Sequence, residues 1–202
     1  MFNRAPSMRE AAQLYLEERY GGSFEFVMPL GAGQSSGSTT PMLFTRYSET
    51  EEVLIVGHRT DNGFVFEDNY LAVKFRDEMA ALIRGIANDV FGESIVMYSV
   101  ATQTLSPYLP GNATFQEYSR DKWSNIFARI ALTEELFEEW LMLKFAKRFQ
   151  GTGIIALIDF WLIDEDLFRF VNPLRRPIPI SHFDVRDVAS MSIDSTGITR
   201  QD

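Results

Sequence analysis

The chain has 202 residues, of which 46% are hydrophobic and 13% aromatic, enough to fill the core of one generous domain or two small ones. A formal net charge of −9, from 19 Lys and Arg against 28 Asp and Glu, argues against a nucleic-acid partner, because phosphate backbones demand clustered positive charge. With no cysteine, disulfides, thiolate nucleophiles and Cys-based zinc or iron–sulfur sites are excluded.

The opening "MFNRAPSMREAAQLYLEERY" has neither the basic start nor the continuous apolar core of a signal peptide. No stretch stays apolar for the ~18 residues that a membrane span needs. The expectation is a soluble protein, cytoplasmic by default, although a trimmed export signal fits the same residues. Ser7 to Glu10, "SMRE", reads as a capping box that starts a helix. Ala11, Ala12, Tyr15, Leu16 and Arg19 form the inner stripe of that helix, and Gly21-Gly22 ends it.

"SFEFVM" then alternates as a strand with Phe24, Phe26 and Met28 on one side. Residues 29–41, "PLGAGQSSGSTTP", lack the Lys-Ser/Thr and the following helix of a phosphate-binding loop, and read as a surface loop or a lid. "MLFTRY" is another strand. "EVLIVGHRT" and "GFVFED" are strands joined at Asp61-Asn62-Gly63, a strong hairpin signal. The four strands are expected to be antiparallel. From Leu71 the period becomes helical through Phe75, Met79, Leu82, Ile83, Ile86, Val90 and Phe91, Gly92 ends that helix, and "SIVMYSVA" follows as a strand.

"TLSPYLPGN", residues 104–112, reads as a connector. Beyond it, Thr133 is expected to cap a helix whose first turn carries Glu134 and Glu135, with a stop at Gly151 and a buried strand after it. Its apolar stripe, with Phe137, Trp140, Leu141, Phe145 and Phe149 flanked by Leu136 and Leu143, is broader than one sheet face requires. Asp164 is expected to cap a short helix through Phe170. "NPLRRPIPI" is read as an extended surface or edge segment, and "SMSIDSTGITRQD" as a loose tail or an edge strand.

The order helix, aromatic, Gly, strand occurs in both halves, and Asn69 is matched by Asn125. The expected fold is therefore α+β: an antiparallel sheet with helices packed on one face, built by internal duplication of a β-strands–helix–strand unit. Residues 1–103 and 104–202 form the two related units of one compact globule. "YLEERYGGSFEF" (15–26) and "FEDNYLAVKF" (66–75) resemble a pattern in uncharacterised small α+β proteins of Gram-positive anaerobic bacteria, which share a helix ending in Tyr-Gly, a Phe-x-Phe strand and an Asp-Asn-Tyr step into a helix. That resemblance covers the first half of the chain and implies a fold without an activity.

The candidate binding residues are His58, Asp68, Asn69 and Tyr70. The last three place a carboxylate, an amide and a phenol where a strand meets a helix, and serve equally as a helix cap. His182, beside Asp184 and near Ser181 and Ser190, lacks a nucleophile elbow, and neighbours in sequence rarely form a triad. The acids Asp159, Asp164, Glu165 and Asp166 lack the ligand spacing and central Gly of a calcium loop, and there is no HExxH pair. Glu17-Glu18 and Glu138-Glu139 read as solvated helix faces, and Lys147-Arg148 and Arg175-Arg176 as ordinary surface charge.

No catalytic residue, cofactor or metal is assigned. The leading expectation is a non-catalytic protein that binds a protein partner or a small ligand, with a homodimer contact as one use for the aromatic surplus. The alternative is a small hydrolase or transferase with its site between the sheet and the 29–41 loop, using His58 with Asp68 or Tyr70.

Overall fold

The computed structural model describes residues 6–30, 39–46, 52–92, 94–98, 109–121, 124, 126–170 and 185–201. The protein is α+β, with two sheets. It forms two compact units, one from Met1–Lys74 with Ala101–Thr114, the other from Phe75–Val100 with Phe115–Asp202. The 31–38 stretch of the glycine-rich loop, Asn125, the proline-rich segment, and His182 with Ser181 and Asp184 lie outside the described residues.

In the first unit, α1 (Met8–Tyr20) begins as its residues predict. The Ser7 hydroxyl accepts from the Glu10 amide while the Glu10 carboxylate accepts from the Ser7 amide at 2.7 Å, so two otherwise orphaned donors are satisfied reciprocally. Gly21 (φ 69°) and Gly22 (φ 78°) end it in a conformation that side chains disfavour. Strands β1 (Phe24–Pro29), β2 (Thr39–Arg46), β3 (Glu52–Thr60) and β4 (Gly63–Asp68) form an antiparallel meander in the order β1-β2-β3-β4. One face buries Phe24, Met42, Phe44, Val53, Ile55 and Phe66 with Ala12 and Leu16 of α1.

One local reading is corrected here. A bulge between Phe26 and Met28 shifts the register, so Met28 pairs with Leu43 and turns outward instead of sharing the face of Phe24 and Phe26. The β3–β4 hairpin forms where its residues predict: Thr60 pairs with Gly63, Asp61-Asn62 is the two-residue turn, and Gly63 (φ 126°) opens β4.

The expected helix from Leu71 is two helices, α2 (Tyr70–Lys74) and α3 (Arg76–Phe91), because Phe75 (φ −100°, ψ 11°) leaves helical geometry. Its ring instead enters the core of the second unit, stacking on Tyr118 at 5.5 Å and meeting Phe115 of α4 (Phe115–Arg120) edge-on. In the second unit, β5 (Ile95–Tyr98), β6 (Ile126–Leu132), β7 (Ala156–Ile163), β8 (Val185–Ile193) and β9 (Ile198–Gln201) form a sheet in chain order. The C-terminal segment thus supplies an edge strand.

This sheet is mixed. β6 and β7 are parallel, joined by a crossover through α5 (Glu139–Gln150), while the other pairs are antiparallel. The internal duplication is not shown: the two helix–strand pairs, α3–β5 and α5–β7, both feed this one sheet, with β5 antiparallel and β7 parallel to β6. One face packs on α3 and α5 through Phe91, Phe145, Phe149 and Phe160, whose rings lie 5.6–6.0 Å apart. On the other face Phe168 of α6 (Glu165–Phe170) covers Ile95, Ala131, Trp161 and Ile163, so helices occupy both faces of this sheet.

The helix expected from Thr133 starts later. The Thr133 carbonyl accepts from Leu136 and Phe137, making one turn, but Glu138 is extended (φ −109°, ψ 131°) and the helix restarts at Glu139. A continuous helix would set Glu134 against Glu138 and Glu135 against Glu139 as like-charged i, i+4 pairs, which are destabilising. Within α5 the helical period turns Leu141, Met142, Phe145, Ala146 and Phe149 inward and leaves Trp140 outside.

Gly57 explains how closely α1 sits on its sheet: a Cβ there would lie 2.9 Å from the Met8 sulfur and 3.0 Å from the Phe66 ring. Gly57→Val is expected to cost about 1–3 kcal/mol through overpacking, measured by chemical denaturation.

Candidate functional site

Asp68, Asn69 and Tyr70 come together in the first unit, and the structure shows what each holds. Asp68, the last residue of β4, is 3% exposed. Its Oδ1 accepts from the Tyr20 hydroxyl (2.7 Å) and the Tyr70 amide (2.9 Å), and its Oδ2 from the Tyr15 hydroxyl (2.9 Å). A buried carboxylate needs such donors, and these come from α1 and from the first turn of α2.

Asn69 extends the sheet by one more rung. Its amide donates to the Leu54 carbonyl at 3.1 Å, and its side-chain oxygen takes the Leu54 amide at 2.7 Å, the place a strand carbonyl would fill. Its own carbonyl accepts from Val73, so Asn69 is also the N-terminal boundary of α2.

Tyr70 closes the group. Its ring lies 4.1 Å from that of Tyr20 and 5.7 Å from that of Phe24, and its hydroxyl accepts from Arg46 at 2.6 Å. The Arg19 guanidinium lies 5.5 Å from the rings of both Tyr15 and Tyr20 and donates to the Leu109 carbonyl. Gly111 follows two residues on, against the Arg19 carbonyl, where a side chain would collide with backbone. Two tyrosines of α1 and the first residue of α2 therefore converge on one carboxylate at the end of β4, with Arg46, Leu54 and Leu109 bonded to the residues around it.

Burial, reinforced by the Asp68 charge, pushes the Tyr15 and Tyr20 hydroxyls well above the ordinary tyrosine range. They remain neutral donors at physiological pH and are poor candidates for a base or nucleophile. The chemistry available to this group is hydrogen bonding that holds α1, β4 and α2 together.

His58 is not part of it. On β3 it lies opposite Val65, whereas Ile55 lies opposite Asp68. An offset of three residues is about 10 Å along a strand and, being odd, puts the two side chains on opposite faces. His58 approaches Thr39 Oγ1 (3.3 Å, through Nδ1) and Glu67 Oε2 (3.8 Å, through Nε2) on the face away from α1. The pairing of His58 with Asp68 or Tyr70 that an enzymatic site would need is therefore not formed.

The acids near the end of β7 also have local partners. Asp164 pairs with Arg186 at 3.2 Å and precedes α6, its carbonyl accepting from Phe168. Asp159 accepts from Ser190 at 2.7 Å. Among the described residues no three His, Asp or Glu side chains are grouped to hold a metal ion, and no helix is long and apolar enough to cross a membrane.

A different surface stands out on α5. Trp140 is 61% exposed and Leu143 is exposed one turn later, on a helix whose other large apolar side chains are core. Lys144 lies over the Trp140 ring at 5.9 Å, and Lys147 and Arg148 follow on the exposed side. Glu134, Glu135, Glu138 and Glu139 are exposed at the other end. The apolar stripe, broader than one sheet face requires, divides accordingly: Leu141, Phe145 and Phe149 are buried, and Trp140 and Leu143 are left outside.

Comparison of the chain with protein-family models, with curated proteins and with solved structures finds no match.

Asp68→Ala is expected to cost about 3 kcal/mol or more, because two hydroxyls and an amide lose their acceptor, and Tyr20→Phe about 1 kcal/mol. In urea titrations the double variant should lose less than the sum; strict additivity would show that the two groups are not coupled.

The buried tyrosines also set an alkaline limit. Tyr15, Tyr20 and, in the second unit, Tyr118 hold their protons more tightly folded than unfolded, chiefly through burial. Their stabilisation is complete below the unfolded value near 10 and is lost as pH rises above it. Stability should fall progressively as pH rises above about 10, with phenolate absorbance appearing together with unfolding and the slope shallower in Tyr20→Phe.

Proposed function

We propose that the protein is a non-catalytic interaction protein that pairs with a second copy of itself through the exposed face of α5. The observation that supports this reading is Trp140, 61% exposed in the first turn of α5, with acidic residues before it and basic ones after it. Large exposed aromatics flanked by charge are characteristic of contact surfaces.

The order of charges selects the occupant. Two copies of α5 laid antiparallel about a two-fold axis passing beside Leu143 set Trp140 of one against Lys147 of the other, and Glu139 against Arg148, whose exposed ion pairs with Arg200 and Asp89 of their own copies would be shared or exchanged. Each patch is complementary to itself, as an isologous dimer requires. An anionic membrane fits less well, since four exposed glutamates border the same patch. The hydrolase or transferase reading gains no support, with His58 and Asp68 on opposite sheet faces.

With only Trp140 and Leu143 as large apolar contacts, the dimer should be weak, with Kd on the order of 10 μM. Sedimentation velocity over a concentration series is expected to show reversible dimerisation, abolished in Trp140→Ser and weakened roughly tenfold in Lys147→Glu, about 1.4 kcal/mol. A wild-type chain that stays monomeric across the series, or a dimer indifferent to both substitutions, would sink the proposal.

A further inference from the structure

The second sheet carries a row of polar side chains that neither the core nor the α5 contact uses. Register places Arg129 of β6 beside Asp159 of β7, and Asp159 beside Ser190 of β8, all on one face. The Arg129 guanidinium is held between two rings, 4.5 Å from the centre of Phe127 and 4.9 Å from that of Trp161. Phe127 lies two residues before it on the same strand, and Trp161 is two residues beyond Asp159 on the next.

This arginine is well positioned and poorly satisfied. Its side chain is 25% exposed, and its Nε is buried without a hydrogen-bond partner. The nearest carboxylate oxygen, Asp159 Oδ2, is 3.8 Å from Nε, beyond hydrogen-bond length. Asp159 is turned away by its other oxygen, which takes the Ser190 hydroxyl at 2.7 Å. Among the described residues the guanidinium donates no hydrogen bond at all, although a half-buried charged donor normally does.

Stacking between rings restricts the guanidinium plane while leaving its in-plane donors available, and aromatic faces recognise a cation without consuming those donors. The edge bearing Nε is occupied electrostatically by Asp159, so the terminal pair of nitrogens remains as a two-pronged donor. A planar carboxylate matches two parallel N–H groups. A doubly charged phosphate fits less well, because Asp159 stands beside the site and repels the second charge more strongly.

We propose that Arg129, clamped by Phe127 and Trp161 and flanked by Asp159 and Ser190, is the binding site for a small carboxylic acid with an apolar body. The carboxylate pairs end-on with the guanidinium, and the apolar part lies against the half-buried ring of Phe127, Trp161 being buried behind the guanidinium. Ser190 acts as a positioning residue: by holding Asp159 back, it keeps the guanidinium open. The inference is independent of α5 pairing, since every residue of the site belongs to one copy.

Isothermal titration calorimetry with benzoate as the probe, and inorganic phosphate as the competing anion, tests it. Saturable benzoate binding is expected, weakened at least tenfold in Arg129→Gln and also weakened in Arg129→Lys, which keeps the charge and loses the fork. Asp159→Asn should bind benzoate several-fold more tightly, because a like charge beside the ligand is removed. An unchanged unfolding midpoint without ligand verifies that each variant is folded, with Arg129→Lys carrying the test if Arg129→Gln is not. Absence of saturation up to about 10 mM benzoate would overturn the proposal. So would equal affinity in the wild type and a folded Arg129 variant, or tighter binding of phosphate than of benzoate.

Discussion

A carboxylate sealed inside a protein has to be surrounded by donors, and in the first unit that requirement falls on Asp68. Burying a polar group without partners costs several times what a hydrogen bond returns, so the donors are fixed as firmly as the acceptor. α1 shows why this matters. Its fully buried side chains are only Ala12 and Leu16, a narrow apolar contact that leaves the helix free to slide. The hydroxyls of Tyr15 and Tyr20, reaching the two oxygens of one side chain, supply the direction that nonspecific packing lacks. The same carboxylate takes the Tyr70 amide, and Asn69 beside it takes the Leu54 amide, so the end of the sheet and the start of α2 are defined together.

The second unit is held differently. Phe91, Phe145, Phe149 and Phe160 form its centre, and their edge-on and offset contacts impose shape without exact polar matching. Charge acts at its margin. Repulsion among four glutamates offsets what propensity would gain by extending α5 backward, and the extended residue Glu138 resets the helix phase. The exposure of Trp140 follows from the helical period, which sends Leu141, Phe145 and Phe149 to the core and Trp140 away from it.

Local signals read well from the residues because their causes are local. Ser7 with Glu10, Gly21-Gly22, Gly92 and the alternation of β3 and β4 each depend on a few neighbours, and the structure contains all of them. The knot at Asp68-Asn69-Tyr70 was legible as the point where a strand gives way to a helix. Its real partners, Tyr15 and Tyr20, lie some fifty residues earlier, and nothing in either segment names the other. His58 was misleading for a related reason: Leu54, Ile55 and Val56 are apolar on both sides of β3, so the residues do not reveal which face of the sheet is covered. The bulge at Val27, the break at Phe75 and the parallel partnership of β6 with β7 are likewise settled by packing against distant chain. Arg129 gave one unused hint, a cation in the middle of the strand "IFARIAL", where a solitary charge calls for an explanation.

The order in which the chain contributes to its two units has a consequence for how it is made. The first unit's closing segment, Ala101–Thr114, is translated only after Phe75–Val100, which belongs to the other unit. Arg19 therefore waits for the Leu109 carbonyl, which is added after α3 and β5 and before β6. Until β6 is added β5 has no strand to pair with, and an unpaired strand edge is the kind of surface that draws neighbouring chains. Splitting the chain at either crossing would preserve that state permanently, so the smallest autonomous fragment is not read off by cutting between elements.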